Sequence, residues 1–239
     1  MQREQMLRTH GELIVTITSS DSFSSVKRES SFADYVAEHV DREVPADQRA
    51  RDSWYLFGDT YGVAQWDALA ELYTPQPLDA ATDNGLVTIG FGGRHSGVSF
   101  HTHGAAFAES VIGAKRWFLS PPDLRPTFDA TLTQLNWTIA WEARMQRRER
   151  RLNRWRASVA RSIAAQDGGA WTSPAYNVAD DQEAEIEPDD SQNNDDAILQ
   201  CTLVAGEVIY IPPHWWHATL NLAKFNAFVS TFTQERPRP

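Results

Sequence analysis

A single cysteine among 239 residues, Cys201, excludes an intrachain disulfide and any cysteine-rich zinc site. One thiol suits a reducing compartment without proving one. Long apolar runs are missing too: nothing reaches the ~20 residues of a membrane-spanning helix, so no membrane span is expected. The opening residues, MQREQMLRTHGEL, hold no apolar segment of the kind that directs secretion, so no signal peptide is expected in this sequence. Positive charge is in deficit. With 22 Lys and Arg against 32 Asp and Glu, a formal charge of −10 argues against general nucleic-acid binding. What the chain has instead is bulk, 41% hydrophobic residues and nine Trp, enough to bury a real core in one β-rich domain or a domain with an appendage.

The most informative stretch is Gly206–Asn221, GEVIYIPPHWWHATLN. Val208 to Ile211 reads as a strand, Pro212-Pro213 forces a turn because proline cannot donate to a ladder, and a second strand starts at Trp215-Trp216. His217 lies just past the turn and Asn221 four residues further. A His held rigidly at the mouth of a small barrel is placed to bind a metal through its neutral imidazole. Alone, it reads equally as a core His packed behind two Trp. Upstream, His101-Thr102-His103 puts two His at i and i+2, on one face of a strand. A strand pair plus one distant His makes a three-ligand set with open positions. A surface coincidence is the plain alternative for such a pair.

The remaining pattern is strand-rich. Residues 13–18, LIVTIT, form a β-branched run, and Ser30 or Ser31 caps a short helix with Phe32, Tyr35, Val36 and Val40 on its apolar face. Residues 41–52 read as a charged loop. Trp54 to Phe57 is a buried strand ended by Gly58-Asp59, and Trp66, Leu69 and Leu72 mark a helix ended by Pro75 and Pro77. Leu86 to Phe91 is a strand, with Gly92-Gly93 and Gly97 as a flexible approach to the His pair. Val111 to Leu119 reads as a hairpin turning near Gly113. Strands return over Cys201–Val204, Val208–Ile211 and Phe225–Phe232, so the pattern is a barrel or sandwich with helices gathered at its front.

Residues 131–200 behave differently. Over 136–165, Trp137, Trp141, Met145, Leu152 and Trp155 alternate with six Arg in a helical pattern, stopped by Asp167-Gly168-Gly169. An acidic, Asn- and Gln-rich stretch follows over 179–197 with almost no apolar residues, predicting a disordered loop. The Arg helix could meet an acidic ligand or RNA; neutralisation by the acidic stretch beside it accounts for the charges without a partner.

Gly206, Pro212, His217 and Asn221 resemble the second motif of the cupin superfamily, with His214 where a glycine usually stands. His101-x-His103, Lys115-Arg116-Trp117 before Pro121-Pro122, and Trp215-Trp216-His217 resemble more narrowly a jumonji-C (JmjC) domain, of the JmjC domain-containing protein eight family. The likeness extends over Gly11–Pro122 and Cys201–Phe232, including Phe57-Gly58-Asp59. It implies a mainly β fold: a double-stranded β-helix (jelly-roll, cupin, JmjC type) with N-terminal helices, as a single domain over 11–239. Residues 131–200 would be an insertion.

The resemblance also implies chemistry. JmjC oxygenases hold Fe(II) with His-x-Asp/Glu and a distal His, and 2-oxoglutarate chelates the iron while its far carboxylate meets a Lys or Arg and a hydroxyl. Carried onto this chain, the metal ligands are His101, His103 and His217, and the co-substrate residues are Lys115, Ser230 and Asn221. A lysine inside a barrel needs a counter-anion, because an unpaired buried charge is costly. Position 103 departs from the pattern, with His where the family has an acid. Three neutral His still bind a divalent metal, and Zn fits as well as Fe(II). Glu109 could bring the missing carboxylate, though its spacing favours a surface or Lys115-pairing role. The expectation is a metal- and 2-oxoglutarate-dependent oxygenase of the protein hydroxylase type, with a protein substrate. The alternative is a catalytically silent JmjC-fold regulatory or scaffold protein acting through a protein partner. A zinc-dependent cupin hydrolase or isomerase on the same three nitrogens is a weaker third reading. The family resides in the endoplasmic reticulum lumen, in conflict with the expected lack of a leader. Asn136-Trp137-Thr138 is a glycosylation triplet, at a helix start.

Overall fold

The computed structural model describes residues 3–43, 45, 47, 53–57, 73, 86–164 and 194–232. Two compact units divide the chain, one of residues 1–137 with 194–239 and one of residues 138–193. Among the described residues, the first unit holds ten strands in two antiparallel sheets. In chain order they are β1 (Ile14–Ser19), β2 (Lys27–Ser31), β3 (Trp54–Leu56), β4 (Leu86–Gly93), β5 (Ala106–Ile112), β6 (Ala114–Ser120), β7 (Leu199–Val204), β8 (Val208–Ile211), β9 (Trp216–Asn221) and β10 (Phe225–Phe232). The larger sheet runs β2-β1-β3-β4-β10-β5-β8 and the smaller β7-β6-β9. The fold is mainly β, in jelly-roll form.

Period-two alternation gives the large sheet two different faces. Trp54, Leu56, Ile89, Phe91, Phe225, Ala227 and Val229 point one way, onto helices α1 (Arg3–His10) and α2 (Phe32–Tyr35). Ser31 caps α2 by accepting from the Asp34 N–H at 3.0 Å, as its sequence position predicts. The helix runs on as a π-helical turn over Val36–Val40, and Phe32, Tyr35, Val36 and Val40 are all buried. Tyr35 fastens this layer by donating its hydroxyl to the Phe91 carbonyl at 3.1 Å. The intervening residues, Tyr55, Gly90, Gly92, Phe228 and Ser230, face the smaller sheet. That second face builds the interior.

Three expectations need correction. The run 111–119 is not a hairpin: β5 pairs with β10 and β8, while β6 pairs with β7 and β9. Gly113 is the corner where the chain crosses between sheets. Its φ of +86° is open to glycine, and a Cβ there would come within 2.4 Å of Asn226 Oδ1. Asn226 Oδ1 in turn accepts from the Ala114 N–H at 3.0 Å, which pins the corner. Gly92 and Gly93 belong to β4 and are no flexible approach. Part of the acidic stretch is ordered: Asn194–Ala197 form a 3-10 turn with Asp195 buried. Trp66, Leu69, Leu72, Pro75 and Pro77, which marked a helix and its stop, lie outside the described residues with Gly58-Asp59, as do Asp167-Gly168-Gly169 and most of the acidic stretch.

The Arg-rich pattern forms helix α3 (Gln134–Ala164), whose start lies in the first unit. There Trp137 donates its indole N–H to the Thr127 carbonyl at 2.9 Å and packs edge-on against Phe100 and Phe118. In the second unit Leu152 and Trp155 are exposed on that helix. Among the described residues, no helix is long and apolar enough to cross a membrane.

Candidate metal centre and anion pocket

β9 supplies one side of the site because its alternation aims His217, Thr219 and Asn221 into the interior. Residues 95–101 run antiparallel along it without forming a named strand. The ties are His95 N–H to Asn221 O at 2.8 Å, Thr219 N–H to Val98 O at 2.9 Å, and mutual bonds between His101 and His217 at 3.1 and 3.0 Å. The expected strand carrying both upstream His is therefore a laced segment with one bridge at His101. His103 sits two residues on, its carbonyl accepting from the His214 N–H at 2.8 Å. His214, where the motif usually has glycine, has a φ of +63°. The left-handed turn persists without its glycine, and His is among the residues enriched there.

These ties bring the three imidazoles together: one ring nitrogen of each lies within 4.8 Å of the others. The ring centroids of His101 and His217 are 4.2 Å apart, and those of His103 and His217 are 4.4 Å apart. Each ring is oriented by its own backbone. His101 Nδ1 meets Ser99 O at 2.9 Å, His103 Nδ1 meets Gly104 O at 2.7 Å, and His217 Nδ1 meets Trp215 O at 2.9 Å. A carbonyl only accepts, so all three Nδ1 atoms carry the proton and all three Nε2 atoms present a lone pair.

That donor set fits a metal. His103 Nε2 and His217 Nε2 stand 2.9 Å apart. They form a hydrogen bond only if one ring takes a second proton. Burial opposes that: it lowers the His101 pKa to about 4, lowers His103, and with the neighbouring rings drives His217 well below its usual value. Facing lone pairs repel unless a cation lies between them. Two nitrogens each about 2.0–2.1 Å from one ion stand at most about 4.2 Å apart, and the observed gap is inside that limit.

Deeper in the same interior, Lys115 on β6 is 3% exposed. Its Nζ donates to Tyr55 OH at 3.3 Å and lies 3.1 Å from the Phe228 ring centroid. Among the described residues no carboxylate pairs with it, and burial holds its pKa well below the ordinary lysine range. Glu109 is elsewhere, accepting a hydrogen bond from Tyr73 OH. Trp117 is stacked on His217, and its indole N–H is buried with no partner among the described residues. A buried amine and an orphaned donor suit an anion.

The other two expected co-substrate residues divide. Ser230 is buried on the interior face of β10, between Phe228, which touches Lys115, and Phe232, which packs on His103 at 5.0 Å. It therefore lies between the amine and the imidazoles. Asn221 is fully buried beside Lys115 in the β6–β9 register and donates to Ser96 Oγ at 3.1 Å. Its Oδ1 lacks a partner among the described residues, and an acceptor is the wrong group for a carboxylate. Sequence reading missed Tyr55, Thr219 and Phe228. Tyr55 OH accepts from Lys115 and bonds the Thr219 side chain, while burial keeps the phenol protonated. The signal was available: alternation in Trp54-Tyr55-Leu56 sets Tyr55 apart from its neighbours.

A jelly-roll with convergent imidazoles defines a class, and the chain belongs to the cupin-like domain family, whose model matches residues 18–238. More particularly, it is 31% identical over 230 residues to JmjC domain-containing protein 8 of Mus musculus, covering 96% of this chain and 67% of that protein. It is also 26% identical over 243 residues to the lysine-specific demethylase JMJ21 of Arabidopsis thaliana, covering 97% of this chain and 21% of that protein. Among solved structures, it is similar to the ribosomal oxygenase YcfD from Escherichia coli in complex with cobalt and 2-oxoglutarate. That match has 12% identity and a TM-score of 0.40, covering 100% of this chain and 45% of that one.

Proposed function

We propose that this protein is a metal- and 2-oxoglutarate-dependent oxygenase of the protein hydroxylase type. The observation that carries the reading is the tautomer lock. Three backbone carbonyls fix three Nδ1 protons, leaving an Nε2 lone pair on each of three rings whose ligand nitrogens lie within 4.8 Å of one another. His101, His103 and His217 would hold Fe(II), or Zn as the redox-inert alternative for such a nitrogen set. A bound iron supplies O₂ activation for hydroxylating a C–H bond. The chain's own residues do the rest. Lys115, as an ammonium, pairs with the far carboxylate of 2-oxoglutarate. Tyr55 fixes the position of Nζ, and Ser230 offers a hydroxyl between the amine and the imidazoles. The similarity to JmjC domain-containing protein 8 supports the JmjC assignment.

His103 favours a second reading, a catalytically silent JmjC-fold protein that acts by binding another protein. A neutral imidazole leaves the site one negative charge short of the His-x-Asp/Glu pattern. Anaerobic titration with Fe(II) and 2-oxoglutarate, then succinate release on adding O₂, separates the two. Failure to bind 2-oxoglutarate sinks the oxygenase. His103→Asp restores the acid: turnover rising at least tenfold over the native chain indicates a pocket otherwise ready for the reaction. An unchanged rate points to the binding protein.

A further inference from the structure

Nothing described above explains Phe228, yet its ring lies against the Lys115 amine. Its ring face lies 3.1 Å from Nζ, well inside the roughly 6 Å range of an ammonium over an aromatic ring. The ring is seated from behind. Phe228 lies opposite Gly90 in the β4–β10 register, and a Cβ on Gly90 would stand 2.0 Å from Phe228 Cζ. Only a glycine leaves that seat. From the sides, the Tyr55 ring stacks on it at 5.8 Å and 12°, and Phe57 packs at 5.3 Å. The position is therefore defined by its neighbours on three sides, with Lys115 on the fourth.

This arrangement occupies two of the three donor directions an anion could use. Of the three donors on Nζ, one is directed at Tyr55 OH. A carboxylate oxygen bonds an ammonium at about 2.7–2.9 Å. On the side facing Phe228, that volume is filled by ring carbons. We propose that Phe228 is a guard on the anion pocket: its ring holds Lys115 while the pocket is free, and a 2-oxo dicarboxylate must draw Nζ off that ring to bind it fully. The inference rests on the co-substrate reading above and adds how that pocket is guarded. The ring's attraction for the charged amine makes it a competitor of the co-substrate, so removing it raises co-substrate affinity.

The test uses the full chain loaded with Mn(II), with 2-oxoglutarate as probe and calorimetric binding as readout. Phe228→Ala is expected to bind at least about tenfold more tightly than the native protein. Phe228→Leu, which keeps apolar volume and removes the ring face, shifts the same way and serves if the alanine variant does not fold. Adding Lys115→Met to either removes the gain. On the native protein, the Lys115 ε-methylene protons should resonate upfield from the ring current and lose that shift at saturating 2-oxoglutarate. Native binding as tight as that of the variants, with the upfield shift retained, overturns the guard and leaves the oxygenase reading intact. No binding by native protein or variants overturns both.

Discussion

The two ends of the barrel interior are built on opposite terms. At the outer end, His101, His103 and His217 each give their Nδ1 proton to a backbone carbonyl, so rotation and tautomer are set before any ligand arrives. At the inner end, Lys115 has a tyrosine hydroxyl and the face of a benzene ring, with no anion among the described residues. The outer end is preorganised; the inner end is compensated. A site of this kind should take its metal readily and its anion reluctantly. Replacing the family's acid with His103 does not disturb the first property, because His103 is as firmly tied as its partners.

The largest expected effect breaks the outer end. His217→Ala removes one of the three proposed ligands and the ring on which Trp117 stacks. Metal affinity should fall by more than the roughly 10–100-fold that loss of an outer-sphere partner costs. Metal content after dialysis checks this, and an affinity unchanged within twofold would remove the metal centre from consideration.

Acid should separate the two ends next. The folded His101 pKa of about 4 lies below its unfolded 6.5, so the folded state binds fewer protons. Its contribution to stability is complete above about pH 6.5 and drains as pH falls toward about 4. At ~1.4 kcal/mol per unit, that is at most on the order of 3 kcal/mol, reduced by the water that screens a half-buried ring. His103 and His217 shift in the same direction and add to it. Urea midpoints of metal-free protein between pH 7.5 and 4 should decline through this window. A flat profile would mean the rings are not held neutral.

The smallest effect sharpens the inner end. Lys115 has a lowered folded pKa, so its charge costs stability at neutral pH. Lys115→Met keeps volume and removes the charge, which should leave stability unchanged or raise it by about 1–2 kcal/mol, while 2-oxoglutarate binding is lost. A drop in melting temperature would show that Lys115 is already paired.

Much of this was legible before any coordinates. The Val208–Ile211 and Trp216–Asn221 strands flank their Pro-Pro turn as the sequence pattern indicates, and the three His meet. Local signals sufficed there, because proline and β-branched residues act within a few positions. The most instructive failure is one of pairing. Residues 111–119 look like a hairpin because two apolar runs flank a glycine, but sheet partners are chosen by distant strands, and Gly113 serves a corner instead. Phe228 was invisible for the same reason. Nothing near it in sequence announces Lys115, which reaches it from the other sheet. Helix α1 escaped notice as well, since only Met6 on it is buried and its apolar stripe is thin.

The reciprocal backbone bonds between His101 and His217 make those two residues one mechanical piece, while His103 is fastened through His214 to the far side of the Pro-Pro bend. An ion gripped by all three rings would therefore splice the 95–101 segment to the 212–215 bend. Loading a metal would then stiffen a whole rim of the barrel rather than three side chains alone.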